Sequence, residues 1–283
     1  MAGVAYGGLV WYPERAAADL MRPSSEEFAA SVDVYRSTMA SFPPGATDPQ
    51  ALIDASAAFV TAVGPAREEL TRASARLDQR ESADLPVISG RQPLRQARVT
   101  RDRMLDFYTS TLETLASVEG VAGYLTLVGP VLPVLDNLEQ ALGTPGQDEV
   151  DGAVASATPI ADQILADLQA ITPPEEMGGV HATLVAIAER IRLDLDEIAR
   201  AGQEGTEQVV RALVQDVRAE IVAFREAVGA APRDAGRAGL DDRKARVDEL
   251  IAQVAAELDA LRDRYGITGL TIPSVEPTPD TGV

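Results

Sequence analysis

Apolar residues recur at helical spacing along almost the whole chain, and most regularly in its second half. Four stripes there share one rhythm. The first is Ala157, Ile160, Ile164, Leu168 and Ile171, and the second Leu184, Ile187, Ile191, Leu195 and Ile198. The third is Val210, Leu213, Val217, Ile221, Phe224 and Val228, and the fourth Val247, Leu250, Val254, Leu258, Leu261 and Tyr265. Each begins with steps of three, four, four and three residues. A 3-4-4 unit is about 3.67 residues per turn, slightly more than a straight helix, so the spacing predicts nearly straight helices and no left-handed heptad coil. The last helix, from Asp241 to Tyr265, is predicted to be roughly 37 Å long at 1.5 Å per residue. The expected fold is all-α, an elongated multi-helix bundle of long, nearly straight antiparallel helices, with Ile187, Ile191, Leu213, Val217, Leu250 and Val254 buried.

The first half gives start and stop signals. Ser24 and Glu27 have the spacing of a capping box. The stripe Phe28, Val32, Tyr35, Met39 and Phe42 follows, until Pro43-Pro44-Gly45 stops it. Asp48-Pro49 predicts a cap followed by proline at the first helical position, opening a helix that passes Gly64-Pro65 and continues through Leu70 and Leu77. A loop is expected around Leu85 to Pro93, then a helix from about Arg95 to Val118 with Met104, Tyr108, Leu112 and Leu115 on one face. Glu119 to Leu142 is rich in Gly and Pro, and Gly143-Thr144-Pro145-Gly146 is the plainest internal boundary. Asp148 and Thr158-Pro159 read as successive helix starts. These signals divide the chain into an apolar arm or anchor remnant (1–13), an N-terminal helical region (14–142), a C-terminal bundle region (143–265) and an extended or disordered tail (266–283) carrying Pro273, Pro277 and Pro279.

Two uncharged stretches bear on membrane association. Val121 to Leu135 would span only about 22 Å as a helix, short of a hydrocarbon core near 30 Å. Pro133 would clash with the carbonyl of Gly129, so a kink or break is expected there. The stretch reads as a kinked helix buried in the bundle, and alternatively as the concealed hairpin of a helical pore-forming toxin. Ala2 to Tyr12 is apolar and closes in Trp11-Tyr12, residues favoured where a membrane helix meets water. At about 16 Å it is half a membrane span, without a basic n-region or cleavage site. The expectation is that Met1 lies inside a membrane anchor whose first half is missing, the alternative being a short apolar arm packed on the bundle.

Composition narrows the chemistry. The 283 residues are 46% apolar but only 4% aromatic, so the core must rest on aliphatic side chains and alanine. A net charge of −19 repels nucleic-acid phosphates, so no nucleic-acid partner is expected. With no cysteine, thiol catalysis and Cys-ligated metals are excluded. Lys244 is the only lysine, a bias that fits GC-rich coding. His181 is the only histidine, and the residue three before it is Gly178, so the Glu-x-x-His signature of a di-iron bundle is absent. It reads as a helix-start histidine that packs or hydrogen-bonds locally. Asp194, Asp196 and Glu197 cluster, as do Asp241 and Asp242. Asp194 and Glu197 are expected on the solvated face opposite Ile191 and Leu195. No calcium loop, phosphate-binding loop, dinucleotide fingerprint or nucleophile elbow is present. The chain is therefore expected to have no catalytic residues, no cofactor and no metal.

One basic cluster stands out in this acidic chain: Arg91, Arg95, Arg98, Arg101 and Arg103. Arg91, Arg95 and Arg98 fall at helical spacing and form a candidate anion-facing patch for acidic lipid or an acidic partner. The plainer reading is that they offset the chain's own carboxylates.

The segment from Leu168 through Ile171-Thr172-Pro173-Pro174-Glu175-Glu176 to His181 and Leu184 resembles a pattern in actinobacterial helical proteins that are membrane-anchored or lipoprotein-like and of unknown function. In those proteins a helix ends in a Pro-Pro-Glu turn and the next begins with a His. The resemblance covers about Val150 to Val228, and the chain lacks a lipobox cysteine, so any anchor would be peptide. It implies a cell-envelope, extracytoplasmic location but no activity, the alternative location being the cytoplasm. The expected function is a non-catalytic scaffold or interaction module with an unidentified protein partner, associated with the membrane through its N-terminus. An extracytoplasmic ligand-sensing domain is the alternative, and a toxin-like protein the next.

Overall fold

The structure, a computed structural model, describes residues 2–42, 48–82, 92–143 and 149–275, with side chains from Pro13 onward apart from those of Glu81 and Ser82. All regular structure among these residues is helical. In chain order the elements are α1 (Ala2–Ser41), α2 (Pro49–Ser82), α3 (Gln92–Val128), α4 (Val131–Leu142) and α5 (Val150–Ala170). A 3₁₀ turn (Glu175–Met177) leads to α6 (Gly178–Gln203), then α7 (Glu207–Ala235), a π-helical turn (Gly236–Leu240) and α8 (Asp241–Tyr265). The chain divides into two compact units. One gathers α1, α2 from Thr61, α3 to Ala116, α8 and the segment after it. The other gathers the start of α2, α3 from Ser117, and α4 through α7 with the turns around them.

Two boundaries fall where the sequence placed them. The N–H of Gln50 donates to Asp48 Oδ1 at 3.0 Å, so Asp48 caps α2 with Pro49 in its first position. The final helix runs from Asp241 to Tyr265 as expected. Other boundaries move. There is no helix start at Ser24, because α1 is continuous from Ala2 through Pro13 and Pro23. The Ser24 and Ser25 hydroxyls donate back to the carbonyls of Leu20 (2.7 Å) and Arg22 (2.9 Å), a mid-helix use of serine in place of a cap. Glu27 is paired instead with Arg76 and with Arg80, the latter at 3.1 Å. Likewise α5 runs unbroken through Pro159, so Thr158-Pro159 is not a start. Pro159 is exposed, which leaves water free to satisfy the carbonyl four residues back.

The break in the uncharged stretch comes at Gly129-Pro130, before Pro133. The N–H of Gly129 still donates to Leu125 O at 3.0 Å, and the N–H of Leu132 turns to Gly129 O at 3.1 Å. Pro133 therefore stands in the first turn of α4, where an N–H has no helical partner anyway. Val121, Leu125, Val128, Val131 and Leu135 are all buried, and Gly129 lies against Ile53 of α2. Among the described residues one helical stretch, Gln92–Leu142, is long and apolar enough to cross a membrane, and 56% of its most apolar window is buried within the protein, as in a core helix. Whether Ala2–Tyr12 packs as an arm turns on side chains outside the described residues.

The expected 3-4-4-3 stripe of Val247, Leu250, Val254, Leu258 and Leu261 is buried in α8, but the seams of α5 to α7 depart from that rhythm. In α5 the buried positions are Val150, Val154, Ala157, Ala161, Ile164 and Leu168, which alternate steps of four and three. In α7 the same alternation runs through Val210, Val214, Val217, Ile221, Phe224 and Val228, before Ala231, Pro232 and Ala235 are buried at its end. The alternation is heptad spacing, the 3.5-residue period of left-handed helix pairs. Ala161, Ala188 and Val214 occupy the seam, while Ile160, Ile187 and Leu213 are only half-buried beside it. The expected burial of Ile187 and Leu213 is thus corrected, whereas Ile191, Val217, Leu250 and Val254 are buried as anticipated. Small side chains on the contact line let helices approach, and larger ones cover the flanks. At Gly202 in α6 the approach is closest: a β-carbon there would lie 2.7 Å from Val150 Cγ1 of α5. That contact joins the start of α5 to the end of α6, while the Asp162–Arg192 pair at 2.6 Å joins their middles, so the two run in opposite directions.

The first segment after α8 is non-helical, bends at Gly269 (φ +76°) and is attached. Ile267 and Pro273 are buried, and residues 268 to 274 bond to α1. Pro277 and Pro279 lie outside the described residues, as do most of the expected loop near residues 85–91 and the turn at Thr144-Pro145-Gly146.

Candidate functional site

The most developed polar constellation lies where α5 turns into α6. The chain leaves α5 in extended conformation at Ile171 and stays extended at Pro174, since two consecutive prolines cannot continue a helix. It then makes the 3₁₀ turn that buries Met177 and opens α6 at Gly178. This turn rests on the end of α3. Ser117 donates to Glu176, Gly120 faces the ring of Pro174, and Tyr124 meets His181. Ser117, Gly120 and Tyr124 are spaced by three and four residues and so share one helix face.

The Tyr124 hydroxyl and His181 Nδ1 are 3.2 Å apart, and their rings meet edge to face at 5.9 Å. His181 is half-buried and Tyr124 is 2% exposed. Burial pushes the Tyr124 hydroxyl up to about 12, so at neutral pH it is a neutral hydrogen-bonding group and no phenolate nucleophile. The sole histidine therefore does pack, on a partner distant in sequence. In the unfolded chain tyrosine loses its proton near pH 10, before the folded protein does. The stabilisation is full below that pH and is lost as pH rises toward 12. Tyr124→Phe should flatten the decline of the urea midpoint over this window; an unchanged slope would mean that the hydroxyl is already solvated.

Beside this turn lies an open cleft of about 320 Å³ lined by Glu175, Glu176, Gly179, Val180, Thr183 and Asp234 among others. Its charged groups are all carboxylates, set against the first turn of α6. Within the other unit, a cleft of about 380 Å³ is lined by Glu14, Arg15, Asp19, Arg22 and Tyr265, and one of about 510 Å³ by Arg67, Glu68, Thr71, Arg72 and Leu112. Among the described residues no group of three or more His, Asp or Glu is placed to hold a metal ion.

Among the described residues of the arginine cluster, Arg101 and Arg103 are drawn inward. Arg91 lies outside the described residues. Arg95 is exposed and Arg98 half-buried near the start of α3. Arg101 is buried, 2.9 Å from Asp102. Arg103 pairs with Glu257 of α8. Arg101 and Arg103 thus turn into the unit, a division that their sequence spacing alone does not reveal. Asp194 also departs from expectation, for it is half-buried toward α7. Burial, and then the nearby carboxylates of Asp216, Glu197 and Glu220, push its carboxyl above the usual range, with Arg190 opposing them. Asp196 and Glu197 remain exposed; Asp196 pairs with Arg192 at 2.5 Å. Asp241 and Asp242 sit exposed in the first turn of α8, where negative charge is favourable.

Compared with known protein families, curated proteins and solved structures, the chain matches none. The Tyr124–His181 contact escaped sequence reasoning. Both residues were in view, one in the uncharged stretch and one as the lone histidine, but no local spacing links positions 57 apart.

Proposed function

We propose that the protein is a non-catalytic helical scaffold or interaction module of the cell envelope. What supports this reading is how its charged side chains are engaged. Glu27 with Arg80, Asp162 with Arg192, Glu220 with Arg190, and Asp136 and Glu139 with Arg225 all tie one helix to another. None of these groups converges on a cleft with a nucleophile, and the one imidazole is held against a buried tyrosine. Such an arrangement suits rigid helical faces better than acid–base work. The envelope location draws on the resemblance to actinobacterial anchored proteins and on the apolar opening of α1. A ligand-sensing role would call for an enclosed apolar pocket with a few converging polar groups, and the clefts are edged by carboxylates and guanidinium groups instead.

The test is complementation in the source organism. In a strain deleted for the gene and carrying an epitope-tagged copy, the protein should fractionate with the envelope and be cleaved by protease added outside the membrane. Tyr124→Phe and His181→Ala copies should restore any deletion phenotype as well as the unaltered chain does. Recovery in the cytosol would overturn the location. Failure of a stably folded His181→Ala copy to complement would overturn the non-catalytic reading.

A further inference from the structure

Ten residues after α8 are not helical, yet they are held. Gly266 carries the chain out of α8 with φ +66°, its N–H donating to Arg262 O at 3.0 Å, a conformation in which a β-carbon is strained. From there the segment runs along α1. Arg22 Nε donates to the carbonyl of Thr268 at 2.8 Å. The N–H of Thr271 donates to Ser25 Oγ at 3.0 Å. The Arg36 guanidinium donates to both the hydroxyl and the carbonyl of Ser274, each at 3.0 Å. Ile267 and Pro273 are buried between and beside these points.

The segment is bonded along one face of α1. Arg22, Ser25 and Arg36 lie on one face of α1, spaced by three and eleven residues, which is close to whole turns. Fourteen helical residues from Arg22 to Arg36 rise about 21 Å, and the segment, which bends at Gly269 (φ +76°), is bonded at both ends of that span through Thr268 and Ser274. Three of the four bonds grip the backbone of the segment, as a groove grips a peptide. They also straddle Pro23, one of the two prolines inside α1. Pro23 has no N–H, so the carbonyl of Asp19 lacks its helical partner. Just beyond it the Ser25 hydroxyl donates to Arg22 O and accepts from Thr271, so one group joins the segment to the helix at the interruption.

We propose that residues 266–275 are a latch that splints α1 across Pro23. Docked, it holds the two sides of the proline as one rod; released, it leaves Pro23 as a hinge for the part of α1 that precedes it. Hydrogen exchange of the full-length chain tests this. Thr271→Pro removes the N–H from the latch without altering α1, and Arg36→Ala loosens the latch more than three turns away from the hinge. In both, the amides of Leu20 to Glu27, Pro23 aside, should exchange on the order of five- to tenfold faster, the scale of losing one or two net hydrogen bonds. Amides of α5 to α7 should be unchanged and serve as the folding reference. The proposal fails if the Thr271 amide of the unaltered chain exchanges at the unprotected rate. It also fails if both variants free the latch while exchange across Pro23 stays the same.

Discussion

Ile191→Asp should destabilise the unit that contains α6 by about 4 kcal/mol or more, enough to abolish its cooperative unfolding transition near physiological temperature. Ile191 is 1% exposed and stands on the seam of α6 between Ala188 and Leu195, so its replacement puts a carboxylate on the buried contact line. The neighbouring position supplies the control. Ile187 is half-buried, one turn earlier and off the contact line. Its carboxylate could swing outward, and Ile187→Asp should cost only about 1–2 kcal/mol. Thermal and urea melts of the two variants measure the phase of the helix directly. Equal losses would place Ile187 on the seam and restore the 3-4-4 reading; a negligible loss at Ile191 would remove α6 from the core altogether.

That phase is where sequence reasoning reached its limit. Helical content, the capped start at Asp48-Pro49 and the final helix from Asp241 to Tyr265 were all legible, because each rests on local chemistry or on long periodicity. Choosing which apolar residues face inward was harder. Reading the largest aliphatics as the core selects Ile160, Ile187 and Leu213, while packing places Ala161, Ala188 and Val214 on the contact line. Size marks a residue as apolar, but closeness of approach decides which one sits between two helices.

The prolines show the same dependence. Ser24 and Thr158-Pro159 read as helix starts, and both proved to lie inside helices that run through Pro23 and Pro159. Both prolines are exposed, as is Pro65, so the carbonyl each leaves without a helical partner is on the side open to water and the cost is moderated. A proline's effect therefore depends on which side of the helix it occupies, and this is known only once the seam is known. The candidate site was less legible still. His181 and the Pro-Pro-Glu turn were visible as local features, but the tyrosine that meets the histidine belongs to α3. Ion pairs such as Arg103–Glu257 show in the same way that arginines clustered in sequence need not share one surface in space.

The second large effect is expected in the other unit. Aromatics are only 4% of the chain, yet four of them meet around Phe107. Its ring lies 4.9 Å from Phe28, 6.5 Å from Tyr35 and 5.4 Å from Tyr108, all edge to face. All four are at most 1% exposed. Phe107→Ala would remove the ring on which the other three converge and leave a cavity that α1 and α3 cannot close without bending, at a cost of about 3–5 kcal/mol. Phe107→Leu keeps most of the volume and should cost about 1–2 kcal/mol, the difference measuring the aromatic edge contacts together with the residual void. Tyr108→Phe should be milder again, about 1 kcal/mol, because the Ser31 hydroxyl that faces Tyr108 at 3.0 Å keeps its bond to the carbonyl of Glu27 at 2.8 Å. Urea denaturation followed by near-ultraviolet circular dichroism, with the slope checked for constancy, would rank the three variants. If Phe107→Ala cost no more than Tyr108→Phe, the aromatic cluster would not be the core of this unit, and the stability of α1 against α3 would have to reside in the aliphatic contacts around Met39 and Met104.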